Sequence, residues 1–227
     1  MKVAVLFSGG KDSTLAVEYA LQKGYDIRYL LSVKPNRTDC YLFHFATVEL
    51  TKELAKILNL NHIYLECDVA DPKKEAELIK DIVKKNPVDA VIIGGIGLQK
   101  TQIKSVRDAL RDLNVNLIVS HEGLDASTLI KNMINRGYEI MITQIASDGL
   151  KDWLGKKLDL NNFNDFEKQS KKYGFHISLD GGYADTLVLN APVYNKKLKI
   201  TDAEKIMESD YCGYLKINKI DLVEKSK

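Results

Sequence analysis

The sequence predicts an α/β fold: a parallel, doubly wound sheet followed by a smaller carboxy-terminal α+β subdomain. Two observations lead there. Up to about residue 120, short apolar runs rich in Val and Ile alternate with longer segments of helical period, as in a parallel sheet buried on both faces. Beyond that point the texture changes to fewer helices and longer strand-like runs, with no Pro/Gly/Ser-rich linker between the halves. The composition fits such a chain. With 227 residues, 45% hydrophobic and 28% charged, it can bury roughly 70% of the surface its unfolded form exposes.

Element by element, strands are expected at Val3 to Phe7, Ile27 to Val33, His62 to Leu65, Val88 to Ile93 and Leu117 to Val119. Helices with one apolar stripe are expected at Asp12 to Lys23, Leu42 to Leu58, Asp71 to Lys85 and Thr101 to Leu113. Right-handed crossovers then put helices on both faces and a ligand cleft at the carboxyl ends of the strands. The second part reads as a helix at Asp125 to Arg136, a strand at Glu139 to Ile145 and a helix near Phe163 to Tyr173. Strands at Thr186 to Asn190, Val193 to Ile200 and Tyr214 to Val223 follow, the lysine-rich end reading as a solvated edge strand. The domains are thus a nucleotide-type α/β domain over 1–120 and an α+β subdomain over 121–227.

A net charge of +2 gives no electrostatic case for a nucleic-acid or membrane surface. Cys40, Cys67 and Cys212 fit neither a disulfide framework nor a zinc site, so a reducing, cytoplasmic setting is expected, with the thiols as small buried apolar groups. No apolar stretch approaches the length of a membrane span or a signal sequence.

The chemical signal is the first strand-to-helix turn, Ser8-Gly9-Gly10-Lys11-Asp12-Ser13. Two glycines let backbone approach an anion closely, and the amides at a helix start attract phosphate. The loop is not a Walker A motif, because Lys11 is followed by Asp12 and the upstream glycine position is Val5. A plain turn with Asp12 or Ser13 as helix cap is the alternative reading. In its strand-loop-helix context the motif resembles the PP-loop of the N-type ATP pyrophosphatases, adenine nucleotide alpha hydrolase-like enzymes that cleave ATP between the α and β phosphates. The resemblance implies that Ser8, Gly9, Gly10, Lys11, Asp12 and Ser13 hold the leaving pyrophosphate, with Asp12 near a magnesium ion carried by ATP. It sets the adenine against Leu31 and Ser32.

Further stretches resemble the diphthine-ammonia ligase family, of archaeal single-module type or an uncharacterised relative. They are Leu42-Phe43-His44, the strand end Val91-Ile92-Ile93-Gly94-Gly95-Ile96, the block Asp148-Gly149-Leu150-Lys151-Asp152-Trp153-Leu154-Gly155 after the helix Leu129 to Ile134, and Asp180-Gly181-Gly182-Tyr183-Ala184-Asp185-Thr186-Leu187-Val188-Leu189-Asn190-Ala191-Pro192. The last departs from the family's pattern: Asp180 and Asp185 stand for glutamates, and Tyr183 replaces a third acid. Lys100-Thr101-Gln102 likewise departs from a Tyr-Gln…Arg pattern, and no tryptophan follows the fifth strand.

Membership implies an ATP-dependent, amide-forming ligase with ATP and Mg2+. An acceptor carboxylate, that of diphthine on elongation factor two, attacks the α-phosphorus. Pyrophosphate leaves, and ammonia then displaces AMP to give diphthamide. Catalytic roles fall to Asp12, Lys11, Asp180 and Asp185, and further nucleotide contacts to Gly94 and Gly95. Acceptor contacts fall to His44, Gly181, Gly182, Tyr183 and Thr186. On residues alone, His44 reads first as a core or capping histidine, and a solvated turn is the alternative reading of Asp180-Gly181-Gly182. Ammonium and elongation factor two are the expected partners, with no membrane and no RNA, and a homodimer is admitted. A related enzyme acting on a tRNA base or a small acid, or a nucleotide-binding protein without turnover, is the alternative.

Overall fold

The computed structural model describes residues 1–35, 47–68 and 71–225. Five strands, β1 (Lys2–Leu6), β2 (Asp26–Pro35), β3 (His62–Cys67), β4 (Ala90–Ile93) and β5 (Asn116–Val119), form a parallel sheet in the order β3-β2-β1-β4-β5. Helices α1 (Lys11–Gln22), α2 (Thr51–Leu58), α3 (Pro72–Lys85) and α4 (Lys100–Arg111) lie in the crossovers. Alternation along the strands divides the side chains between two faces. Ala4, Tyr29, Leu31, Val33 and Val91 join Ile79 and Val83 of α3 and Val106 and Leu110 of α4 in one core cluster. Val3, Val5, Leu30, Ser32 and Ile92, in alternate register with them, are buried on the opposite side. The sheet is therefore covered on both faces, which is why its strands read as continuous apolar runs.

Local chemistry sets the ends of the elements. Asp71 caps α3 by accepting from the amides of Lys73 and Lys74, with Pro72 in the first turn, and Asp125 caps α5 (Ala126–Asn135) by accepting from Thr128. Asn59 closes α2 in the left-handed conformation.

A second sheet is antiparallel. Its strands β6 (Glu139–Ala146), β7 (Lys157–Leu158), β9 (Lys196–Met207) and β10 (Cys212–Glu224) run in the order β7-β6-β10-β9, and β8 (Ala184–Asn190) pairs with β6. Helix α6 (Phe163–Tyr173) packs Phe166 against Trp153 and Phe175, with ring centroids 4.8 and 5.5 Å apart. By contacts the chain forms two units: Met1–Ser8 with Asp12–Gly123, and Gly9–Lys11 with Leu124–Lys227.

Two expectations change. The helix expected from Leu42 starts in the described chain as a short 3-10 turn at Val48–Leu50 leading into α2; Leu42, Phe43 and His44, like Cys40, lie outside the described residues. The lysine-rich end is an exposed edge as expected: β10 pairs with β6 only over Cys212, Gly213 and Tyr214, and beyond them its described pairing is with β9 alone. Cys67 is buried as expected, whereas Cys212 is half-buried and its thiol donates to Glu208 at 3.5 Å.

Candidate functional site

The order of the parallel sheet reverses between β1 and β4, so the crossovers from these neighbours depart to opposite sides and leave a crevice at their carboxyl ends. The residues that follow the two strands are the glycine-rich Ser8–Ser13 loop and Gly94-Gly95. Gly9 sits at φ +78°, a left-handed conformation that disfavours a side chain. The Phe7–Ser8 peptide is held at both ends. Its N–H, from Ser8, donates to Ser13 Oγ at 3.2 Å, and its carbonyl, from Phe7, accepts from Ser32 Oγ at 2.5 Å. The Ser8 and Ser13 hydroxyls lie 3.3 Å apart. Asp12, half-buried, stands in the first turn of α1, where the helix dipole favours an acid. Backbone amides, two hydroxyls and a helix start thus gather at one strand end, which is what a polyphosphate needs.

Gly94 explains how closely that turn is packed. A Cβ there would lie 2.3 Å from the carbonyl carbon and oxygen of Asp12 and 2.7 Å from the nitrogen of Ser13, so the end of β4 rests directly on the first turn of α1. Gly95, at φ +124°, meets nothing within 4 Å of an added Cβ. His121, just beyond β5, completes this surroundings: it is buried, 2.7 Å from Ser120 Oγ through Nδ1, and edge-on to Tyr19 of α1. Burial lowers its pKa, and the charges of Asp12 and Glu18 oppose that shift.

Of the adenine residues expected on β2, Leu31 is committed to the apolar core and Ser32 to the Phe7 carbonyl, each 1% exposed. Ser32 has a second partner that sequence reasoning missed, His62 of β3, with Nε2 2.8 Å from the hydroxyl. Burial and the nearby Lys52 charge push the His62 pKa down to about 4. Its signal in the sequence was only an apolar strand that starts with histidine.

In the second unit, the strand β8 runs beside the middle of the loop. The Val188 amide donates to the Gly9 carbonyl at 2.9 Å, and the Lys11 amide donates to Thr186 Oγ1 at 3.1 Å. Thr186, expected at the acceptor, therefore has its hydroxyl on the phosphate loop; its place two residues before Val188 on the same strand edge dictates this. Lys11 is buried, 4% exposed. Ahead of β8, Leu179, Gly181 and Gly182 all have positive φ (64°, 90° and 85°), coiling the backbone tightly around Asp180. The Asp180 amide donates to Ser178 Oγ at 3.2 Å. Tyr183 is half-buried with its ring 6.5 Å from Phe175, and Asp185 faces Gln144 across the β8–β6 ladder. Next to that pair, β6 carries an irregularity between Ile142 and Gln144, of the kind that re-aims side chains near functional sites.

Among the described residues no three His, Cys, Asp or Glu side chains gather as a metal-binding group. A magnesium ion held by an all-protein cage does not fit here. One carried by nucleotide phosphates and met by a single carboxylate does, because Mg2+ keeps most of its shell as water and phosphate oxygen. The carboxylate within the Ser8–Ser13 loop is that of Asp12.

Comparison with known proteins agrees on both halves of the chain. Residues 1–116 match the family model of the diphthamide synthase N-terminal domain, and residues 125–223 that of the diphthamide synthase C-terminal domain. Curated relatives called diphthine–ammonia ligase align over nearly the whole chain. That of Mus musculus is 26% identical, covering 99% of this chain and 94% of its own length; that of Homo sapiens is 27% identical, covering 92% and 86%. The Schizosaccharomyces pombe relative of the same name is 26% identical over 96% of this chain, which spans 39% of it. A phosphate-type loop at the reversal of a parallel sheet, joined to a second unit in which β8 carries the Thr-Leu-Val-Leu run, is matched from end to end: the chain belongs to the diphthamide synthase family.

Proposed function

We propose that this protein is an ATP-dependent diphthine–ammonia ligase, which activates the diphthine carboxylate on elongation factor two as an acyl adenylate and amidates it with ammonium. The observation that carries the reading is the match of both halves to the diphthamide synthase models, with the Ser8–Ser13 loop at the sheet's reversal as its physical counterpart.

The chemistry asks for positioning and charge neutralisation more than for bond-making by the protein. The acceptor oxygen bonds to the α-phosphorus as the α–β phosphoanhydride bond breaks, and pyrophosphate departs with that electron pair. Ammonia then forms the C–N bond, AMP leaves, and one proton is lost from nitrogen. Gly9 and Gly10 amides with Ser8 and Ser13 hydroxyls would hold the pyrophosphate, and the Lys11 charge would approach the phosphates. Asp12 would meet a magnesium ion carried by ATP, which would supply charge neutralisation on the leaving group. Gly94 and Gly95 would bound the nucleotide's other side. In the second unit, Asp180 and Asp185 supply negative charge for ammonium or for the acceptor's trimethylammonium group. The Tyr183 face suits the same cation, with Gly181 and Gly182 shaping the turn. His44 is proposed beside the acceptor from its sequence motif alone.

Purified protein, ATP, magnesium, ammonium and diphthine-bearing elongation factor two test the proposal. The expected products are the amidated factor, read by its mass, with AMP and pyrophosphate in equal amounts. ADP as the main nucleotide product, or an unchanged factor at saturating ATP and ammonium, would overturn it.

A further inference from the structure

The peptide between Phe7 and Ser8 follows β1 and opens the phosphate loop, and its carbonyl is held by a chain of two side chains. Ser32 is buried, and its hydroxyl has one proton, donated to the Phe7 oxygen at 2.5 Å. The His62 nitrogen 2.8 Å from that hydroxyl must then be a donor, which assigns the Nε2–H tautomer. The chain runs His62 Nε2–H to Ser32 Oγ–H to Phe7 carbonyl, and each bond polarises the next. The same peptide's N–H is taken by Ser13, the last residue of the loop, so the peptide plane has little rotation left. Around His62 stand Tyr64, its ring edge-on with centroids 6.1 Å apart, and Lys52, whose ammonium lies 3.9 Å from the Tyr64 ring centre. The Lys52 charge disfavours imidazolium, and the histidine stays neutral down to about pH 4. Nothing in the reaction requires a histidine here, and Ser32 alone would satisfy the Phe7 carbonyl. What the ring adds is a fixed direction for the hydroxyl proton.

We propose that His62 is a positioning residue for the nucleotide, acting through Ser32 to fix the Phe7–Ser8 peptide and so the take-off angle of the phosphate loop. This rests on the reading of Ser8–Ser13 as the ATP site.

MgATP affinity of the full chain by equilibrium titration, with the melting temperature of each variant, tests it. Ser32→Ala and His62→Phe are each expected to raise the Kd for MgATP about five- to tenfold, the worth of a lost hydrogen bond. Ser32→Thr and His62→Gln, which keep a hydroxyl and an N–H donor, are expected to stay within about twofold. Because His62 acts only through Ser32, His62→Phe should add less than about twofold in the Ser32→Ala background, a non-additivity that general destabilisation does not produce. An undiminished His62→Phe effect in that background, or unaltered affinity in both single variants, would overturn the proposal. If Ser32→Ala does not fold, the contrast between His62→Phe and His62→Gln decides in the same way. Failure of the unsubstituted chain to bind MgATP would instead sink the ATP reading itself.

Discussion

At Gly94 the requirement for glycine is steric and comes from within the protein. An added methyl group would overlap the backbone of Asp12 and Ser13, which cannot swing aside as a side chain can. Gly94→Ala is therefore expected to cost about 1–3 kcal/mol of stability, as overpacking does, and to weaken MgATP binding at the same time, because the atoms displaced are those of the loop. Chemical denaturation and nucleotide titration on one preparation check this; a variant with lowered stability and unaltered affinity would show that β4 and the loop are mechanically independent. The motif singled out Gly94 as a nucleotide contact, but the pressure of one backbone on another was not legible, since the two segments are some eighty residues apart in the chain. The same holds for Ser32, whose hydroxyl proton is committed to a carbonyl on the neighbouring strand.

Elements were most legible where burial imposes a period. All five strands of the parallel sheet and helices α1, α3, α4, α5 and α6 fall where their apolar spacing puts them. The failures share one cause. β9 runs to Met207 through Thr201-Asp202-Ala203-Glu204-Lys205, exposed throughout, so no alternation marks it; pairing with β10 makes it a strand. β7 is two residues long, too short to carry any period. At this scale β3 brings a pH dependence. The His62 pKa falls from 6.5 to about 4 on folding, so between these values the unfolded chain binds a proton that the folded chain refuses. Stability must then drop as pH falls from 6.5 towards 4 and be level above 6.5 for this group. Buried His121, also lowered, acts in the same direction. His62→Gln is expected to flatten part of that decline in thermal melts from pH 4 to 7, and an unaltered slope would contradict the burial of a neutral ring.

For the whole molecule, the sequence suggests a nucleotide half and an acceptor half; by contacts the chain forms two units, and Gly9–Lys11 pack with the carboxy-terminal one. The reason is β8: its free edge offers the Val188 amide to the Gly9 carbonyl, and its Thr186 hydroxyl receives the Lys11 amide. No reading of residues 1–120 alone reveals this, because both partners lie more than 170 residues away. With the nucleotide on this loop, as proposed, a change in β8 is expected to reach it. Thr186→Val keeps the side chain's shape and removes the acceptor for a buried amide, a loss of about 1–3 kcal/mol that falls on the conformation of the loop. The KM for ATP is expected to rise about tenfold or more, with Thr186→Ser restoring it, while the KM for the acceptor moves little. Steady-state kinetics at saturating ammonium, varying ATP and acceptor in turn, separate the two. If Thr186→Val raised only the KM for the acceptor, Thr186 would belong to the acceptor site that its motif suggested, and the bond to Lys11 would be incidental to catalysis.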